Sequence, residues 1–337
     1  MNSLILAHIE AFIKRTSIPQ LNLALWHNGE LYEASFGCNK QPGIDVFEIG
    51  SIGKTFTATL LALLVENKSV NLTDKIEKFR PDLPFAKDIT LLDLATHTSG
   101  LPSYPMAGLM FSHAKFVATV SNFRKADYER FLNNIKKPLN TGRFEYSNLG
   151  MALLGNILAE QLGVSYEEAI KQHLLLPLGM VDTHVSPVAY HPHRLAKGHS
   201  GSGKTVADFY WSCMEPAGVW RSTTRDMLLY LKAHSGHAGK AWQNVLNKTT
   251  SPIFTDPKLR NQGLAWQLEN TDELGHFAWH NGRTFGQQSV VICLKDKESA
   301  IVVLSNKVPK FWQNFFTKYS LEVLSIDILQ SLLKADK

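Results

Sequence analysis

The chain has 337 residues, 44% of them hydrophobic and 19% charged. That is apolar material for a large core, in one big or two closely packed domains, and a composition that excludes intrinsic disorder. The net charge of +5 comes from 35 basic and 30 acidic residues spread along the chain, and no dense Lys/Arg block marks a nucleic-acid or membrane surface.

In chain order, the N-terminus has an apolar run of only Leu4 to Ala7, then His8 and Glu10. It lacks the basic start and long apolar stretch of a signal peptide. With Met1 as the native start the expected location is cytoplasmic; it is periplasmic or secreted if a signal peptide was removed. Residues 3–15 read as an amphipathic helix. Leu21, Leu23 and Leu25 then alternate with Asn22, Ala24 and Trp26, the pattern of a half-buried strand. Asn28-Gly29 is a hairpin signal, and Leu31 to Phe36 returns as the second strand. Phe56, Leu60, Leu63 and Leu64 recur at helical spacing after Ser51, which places Ser51 at a helix start.

The middle of the chain reads as mostly helical. Thr90 with Asp93 and Ser165 with Glu168 are capping-box signatures. A helix is expected over Leu149 to Leu162, and Thr223 with Asp226 opens another. Residues 100–112 and 184–208 are rich in Gly, Pro, Ser and His and read as long loops. Strands return at Leu264 to Glu269, His276 to Trp279, Ser289 to Leu294 and Ser299 to Leu304, before a closing helix from Trp312 to Leu333. No stretch is apolar and long enough to span a membrane. Cys38, Cys213 and Cys293 are odd in number and widely scattered, which reads as free thiols. The expected fold is α+β: an antiparallel β-sheet built from both chain ends and flanked by helices, with a mostly helical region inserted. The expected division is a sheet region at 1–65 and 205–337 and a helical region at 66–204, with the active site at their junction.

Three polar motifs carry chemistry: Ser51-Ile52-Gly53-Lys54, Tyr146-Ser147-Asn148 and His280-Asn281-Gly282. On a helix, Ser51 and Lys54 share a face. A helix N-terminus offers free N–H groups, so the Ser51 backbone N–H can help hold an oxyanion. Lys54 becomes a base when burial depresses its pKa. Ser-x-x-Lys also occurs at Ser112/Lys115 and Ser331/Lys334, where chance on the surface accounts for it. Tyr146 is a candidate proton shuttle. Asn148 would offer its amide to a substrate carbonyl or to Lys54. His280 follows a strand and would contribute a donor and a pH-dependent charge, and Gly282 would let backbone approach a ligand closely.

Together the motifs resemble the active-site set of serine β-lactamases and penicillin-binding proteins. They most resemble the class C β-lactamase group, which also holds D-alanyl-D-alanine carboxypeptidases, D-amino-acid peptidases and family VIII esterases. The strings around Thr96-His97-Thr98-Ser99-Gly100, Phe144-Glu145-Tyr146, Pro177-Leu178-Gly179-Met180 and Trp220-Arg221-Ser222-Thr223 carry the likeness over nearly the whole chain. The resemblance implies a β-lactamase/transpeptidase-like fold, nucleophile Ser51, base Lys54 and proton shuttle Tyr146. It also implies an oxyanion hole from the N–H groups of Ser51 and Arg283, and substrate contacts at Asn148 and His280. Class C β-lactamases typically carry Lys-Thr-Gly where this chain has His280-Asn281-Gly282; a histidine there looks more like the esterases and D-peptidases. Arg283 could replace the missing carboxylate contact.

The expected function is hydrolysis of an ester, amide or lactam through an acyl-Ser51 intermediate, with no cofactor, on a small-molecule substrate. One alternative is a penicillin-binding or sensor protein that deacylates slowly or never. Another is a nucleotide-binding protein, because Gly198 to Thr205 matches the P-loop pattern. The polar, proline-bearing stretch before it and the short stretch after it argue for a flexible loop instead. His191, His193 and His199 lack a neighbouring carboxylate or thiol at metal spacing.

Overall fold

Both chain ends build one sheet in the computed structural model, which describes residues 3–37, 42–104, 113–255 and 261–335. Its strands are β1 (Gln20–His27), β2 (Glu30–Gly37), β5 (Phe254–Thr255), β6 (Asn261–Gln262), β7 (Gln267–Thr271), β8 (Gly275–Arg283), β9 (Gln288–Leu294) and β10 (Ser299–Ser305); the short pair β3 (Phe47–Glu48) and β4 (Arg221–Ser222) stands apart. The order in the large sheet is β2-β1-β10-β9-β8-β7-β6-β5, and every neighbouring pair is antiparallel. Asn28 and Gly29 both take positive φ, 47° and 87°, as a tight hairpin turn requires.

The helices are α1 (Ser3–Thr16), α2 (Gly53–Glu66), α3 (Leu91–Ala95), α4 (His113–Asn122), α5 (Lys125–Asn134), α6 (Asn148–Leu162), α7 (Tyr166–Ile170), α8 (Leu176–Leu178), α9 (Thr224–Lys232), α10 (Lys240–Thr249) and α11 (Leu321–Ala335). The sheet is covered on both faces. Ile5, Ile9 and Phe12 of α1 and Leu324, Ile328 and Leu329 of α11 pack on one face, against Leu21, Leu23 and Leu25. Ala24, Trp26, Val291 and Val302 face the other core, which contains α2, α6, α9 and α10. Each fully buried Val, Leu, Ile or Phe among them contributes about 1.5–3 kcal/mol.

This double covering corrects the expected half-buried β1: all eight of its residues are buried. The closing helix is also shorter than expected. Residues 311–319 form two 3₁₀ turns, and α11 begins only after Ser320, whose Oγ accepts the Val323 N–H at 3.2 Å. β7 starts three residues later than the apolar pattern suggested, because Ala265 takes a φ of 58° and breaks the strand. β8 runs longer than expected and carries the His280-Asn281-Gly282 motif inside the strand. The capping box at Thr90 and the cap at Thr223 form as read, while Ser165, read as a capping box, caps through its own side chain by accepting the Glu168 N–H. Residues 105–112, Ser112 and Cys38 lie outside the described residues. Among the described residues no helix is long and apolar enough to cross a membrane.

Candidate active site

Ser51 sits where a strand turns into a helix. β3 pairs with β4, and the Ile49 N–H donates to the Trp220 carbonyl at 3.0 Å. Gly50, at a φ of 51°, then turns the chain into a single 3₁₀ turn, Gly50–Ile52, continuous with α2. β8 lies directly against this turn. A Cβ on Gly50 would meet the Arg283 nitrogen at 2.6 Å, and one on Gly282 would meet the Ile49 carbonyl oxygen at 1.9 Å. Ser289 Oγ donates to that same carbonyl at 2.7 Å. The two glycines thus bring the Arg283 backbone to the turn that carries Ser51. The Ser51 N–H belongs to the first turn of a helix, whose N–H groups lack intrahelical acceptors.

One turn after Ser51, at the start of α2, Lys54 Nζ reaches Ser51 Oγ at 2.9 Å and donates to the Ala217 carbonyl. Lys54 is fully buried and has no ion pair among the described residues. Burial alone pushes its pKa well below the ordinary lysine value. Tyr146 is hydrogen-bonded to Ser51, and its ring lies 4.9 Å from Lys54 Nζ. Burial raises the Tyr146 phenol, against a smaller lowering from Ser51. The structure therefore gathers a hydroxyl, an amine that favours neutrality and a phenol that stays protonated.

The N-terminus of α6 fixes Tyr146. Ser147 caps the helix, accepting the Gly150 N–H at 2.8 Å and donating to the Pro102 carbonyl at 2.9 Å. Asn148 Nδ2 donates to Ser103 Oγ at 3.2 Å, and Asn148 also bonds Tyr104. Tyr104 in turn stacks on Trp211 at 5.8 Å. Trp220 and Trp266 are fully buried, and the buried Trp211 meets the site through Tyr104.

His280 departs from its expected electrostatics. It is buried, and its Nδ1 donates to the Asn281 carbonyl at 2.6 Å. Burial first, and Lys54 second, push its pKa down to about 3. At neutral pH the side chain is uncharged, which overturns the expected pH-dependent charge. The Asn281 amide is spent on Glu322. Arg283 is exposed and donates from Nη1 to Asn314 Oδ1 at 3.0 Å.

Two features carried no assignment in the sequence reading. His97 brackets Tyr146 on both sides: its carbonyl accepts the Glu145 N–H at 2.7 Å, and its Nδ1 accepts the Ser147 N–H at 3.2 Å. Its ring lies 4.5 Å from the Tyr146 ring, it takes a φ of 60°, and its buried Nε2 has no hydrogen-bond partner among the described residues. The other feature is a buried ion pair, Arg221 Nη2 to Glu48 Oε1 at 3.1 Å. Arg221 also donates to the Val185 and Phe209 carbonyls, tying the 184–210 loop to the β3–β4 pair that precedes Ser51. His97 lay in a string that carried the resemblance, but its fold contacts were invisible there.

The P-loop alternative is contradicted. Gly198–Val206 forms a small hairpin in which Val206 N–H donates to the Gly198 carbonyl, Ser200 N–H to Lys204 and Gly203 N–H to Ser200. No strand leads into it and no helix follows, so the amides a phosphate would need are occupied or unaligned. His199 Nδ1 bonds the Asn306 carbonyl. Among the described residues no group of three or more His, Cys, Asp or Glu could hold a metal ion. Ser331 of the chance Ser-x-x-Lys pairs donates to the Asp327 carbonyl within α11.

The family model described as Beta-lactamase matches residues 5–319. The chain belongs to the β-lactamase family. Its fold is shared by solved structures of class C β-lactamases, one with a TM-score of 0.80 at 24% identity over 98% of this chain and 95% of that one. The chain is 24% identical to a β-lactamase of Providencia stuartii, over 93% of this chain and 88% of that one. It is 28% identical to penicillin-binding protein 4* of Bacillus subtilis (strain 168), over 82% of this chain and 65% of that relative's length. The β-lactamase/D-alanine carboxypeptidase from Pseudomonas syringae superposes with a TM-score of 0.83 at 22% identity, covering 97% and 98% of the two chains. That likeness shows the α+β fold.

Proposed function

We propose that this protein hydrolyses a small ester or D-amino-acid amide through an acyl-Ser51 intermediate. The observation that carries this reading is Lys54 Nζ, fully buried and without an acidic partner, 2.9 Å from Ser51 Oγ. Neutral Lys54 takes the Ser51 proton as Oγ attacks the substrate carbonyl carbon. The carbonyl pair moves onto oxygen and is received by the N–H groups of Ser51 and Arg283. Collapse of the adduct breaks the bond to the leaving group, which takes its proton from Tyr146; Lys54 restores that proton. Water then enters by the same route in reverse and frees Ser51. Asn148 binds the substrate carbonyl, while His280, Gly282 and Arg283 form the sheet side of the cleft. We place this cleft at the junction of the sheet region, 1–65 and 205–337, and the helical region, 66–204.

The preference for esters and D-peptides over β-lactams rests on His280. A neutral, buried imidazole supplies no cation for a β-lactam carboxylate. A relative named as a penicillin-binding protein supports the second reading, a protein that acylates and releases slowly. Initial rates on p-nitrophenyl acetate, p-nitrophenyl butyrate, a D-alanyl p-nitroanilide and nitrocefin, with Ser51→Ala alongside, separate these. Ester or anilide turnover lost in Ser51→Ala is expected. Intact mass showing a stable adduct on Ser51 without turnover would favour the second reading. Undiminished turnover by Ser51→Ala would sink the mechanism.

A further inference from the structure

Outside the cleft, the exposed large apolar side chains of the described residues cluster most closely in the segment between β10 and α11. Phe311 is 81% exposed, Phe315 71%, Phe316 51% and Trp312 48%. These rings are held, not loose. They ride on two 3₁₀ turns, Gln313 is buried with its Oε1 accepting the Lys310 N–H at 2.7 Å, and Phe311 packs edge-on to Phe315 at 5.4 Å, Trp312 to Tyr319 at 5.3 Å. A folded chain that presents four large rings in six residues to water has a use for them.

The charge around the rings is one-sided. From Ser299 to Leu321 the chain has Lys307, Lys310 and Lys318 and no acidic residue. Lys307 is buried, its Nζ spent on the Thr16 and Ser17 carbonyls. Lys310 and Lys318 are exposed, and Lys318 Nζ lies over the Phe316 and Tyr319 rings. Two arginines complete the rim: Arg15 donates to the Lys318 carbonyl at 2.8 Å, and Arg283 donates to Asn314. Two acids border the segment: Glu322, beside Phe315 and Phe316, is engaged by Asn281 and Ser320, and Asp327 lines a groove with Arg15 and Lys318.

We propose that this aromatic, cation-rimmed segment seats the protein on an anionic lipid surface. Aromatic rings with Lys and Arg beside them match the water–hydrocarbon boundary, where rings enter and cations meet headgroup phosphates. A second copy of the chain is the poorer occupant, because a two-fold contact through this patch would set the cations of one copy against those of the other. Net charge hides this feature, since the basic residues come together only through Arg15 and Arg283 from distant parts of the chain. A groove of about 340 Å³ is lined by Phe315, Phe316 and Tyr319 together with Gly282 and Arg283. Docking through the patch therefore sets the sheet side of the cleft beside the lipid.

The test is co-sedimentation of the full chain with vesicles of phosphatidylcholine and phosphatidylglycerol in equal parts, against pure phosphatidylcholine, at low and high salt. Sedimentation velocity without lipid is run in parallel. Binding to the anionic vesicles that weakens with salt is expected. Phe311→Ser with Phe315→Ser should reduce it to background, and Lys310→Glu with Lys318→Glu should weaken it by about tenfold or more. Both double variants should keep the parent melting temperature, and the lysine pair, which lines no part of the groove shared with Gly282 and Arg283, should keep the parent rate on a soluble ester. Failure of the parent to bind, or binding that both double variants retain, would overturn the proposal. So would a parent dimer that the phenylalanine pair dissociates without any lipid binding.

Discussion

Lys54 decides the chemistry at the level of single residues. An ordinary lysine is protonated at neutral pH and cannot accept a proton. Burial disfavours the ammonium, and no carboxylate lies near enough to restore it. The rate should therefore depend on the deprotonated amine: kcat/KM falls as pH drops through the depressed Lys54 pKa and is level above it. An acid limb centred near the ordinary lysine value of about 10.4 would refute this. His280 should add no limb near pH 6.5, because it is already neutral there. His97 is a positioning residue, holding the N–H groups on either side of Tyr146. His97→Asn tolerates the positive φ and puts an amide oxygen where Nδ1 sits, so kcat should stay within about tenfold. His97→Gly accepts the φ but offers neither acceptor nor ring, and kcat should fall about 10²-fold with KM little changed, as for a misplaced catalytic group. Equal kcat losses in both variants would reduce His97 to a packing residue.

At the level of elements, the cleft depends on β8 touching the 3₁₀ turn at Gly50–Ile52. Gly282→Ala puts a methyl group 1.9 Å from the Ile49 oxygen, and backbone cannot give way as a flexible side chain can. The strand must move off the turn, pulling the Arg283 N–H away from Ser51. Overpacking of this kind costs about 1–3 kcal/mol. A lowered melting temperature together with a kcat loss of about 10²-fold or more is expected, in line with loss of one oxyanion donor. An active, fully stable Gly282→Ala would show that the two elements do not need this approach.

At the scale of the whole molecule, burial lowers the pKa of three histidines among the described residues, His97, His234 and His280. Burial holds His234 and His280 down to about 3, against about 6.5 in an unfolded chain. Between those values the unfolded chain binds more protons, so stability is full above about pH 6.5 and falls as pH drops toward 3. Asp226, raised by burial to about 6, works in the opposite sense over a narrower window. Glu48 and Glu215, also raised by burial, act with Asp226, and His97 acts with the other two histidines; the wider histidine shifts prevail, and the melting temperature should fall from pH 7 to pH 4.5. His234→Gln lies away from the cleft and should flatten that slope. A melting temperature that holds or rises toward pH 4.5 would contradict the balance.

The sequence by itself determined most of the longer elements, while the short strands β3, β4, β5 and β6 carried no local signal that was read. Asn28-Gly29, the caps at Thr90, Ser165 and Thr223 and the period-two apolar runs are local signals, and each formed where local chemistry put it. Ser51 and Lys54 also stand three residues apart, so their meeting follows from helix geometry alone. What lay beyond the sequence depends on contacts between distant segments. That β1 is buried on both faces needs α1 and α11 on one side of the sheet and α2 and α9 on the other. That Trp312 does not start the last helix depends on Ser320 taking the cap and on the aromatic turns docking beside Arg15 and Arg283. The depressed pKa of Lys54 and of His280 is a property of the finished core, because desolvation is set by everything packed around a group.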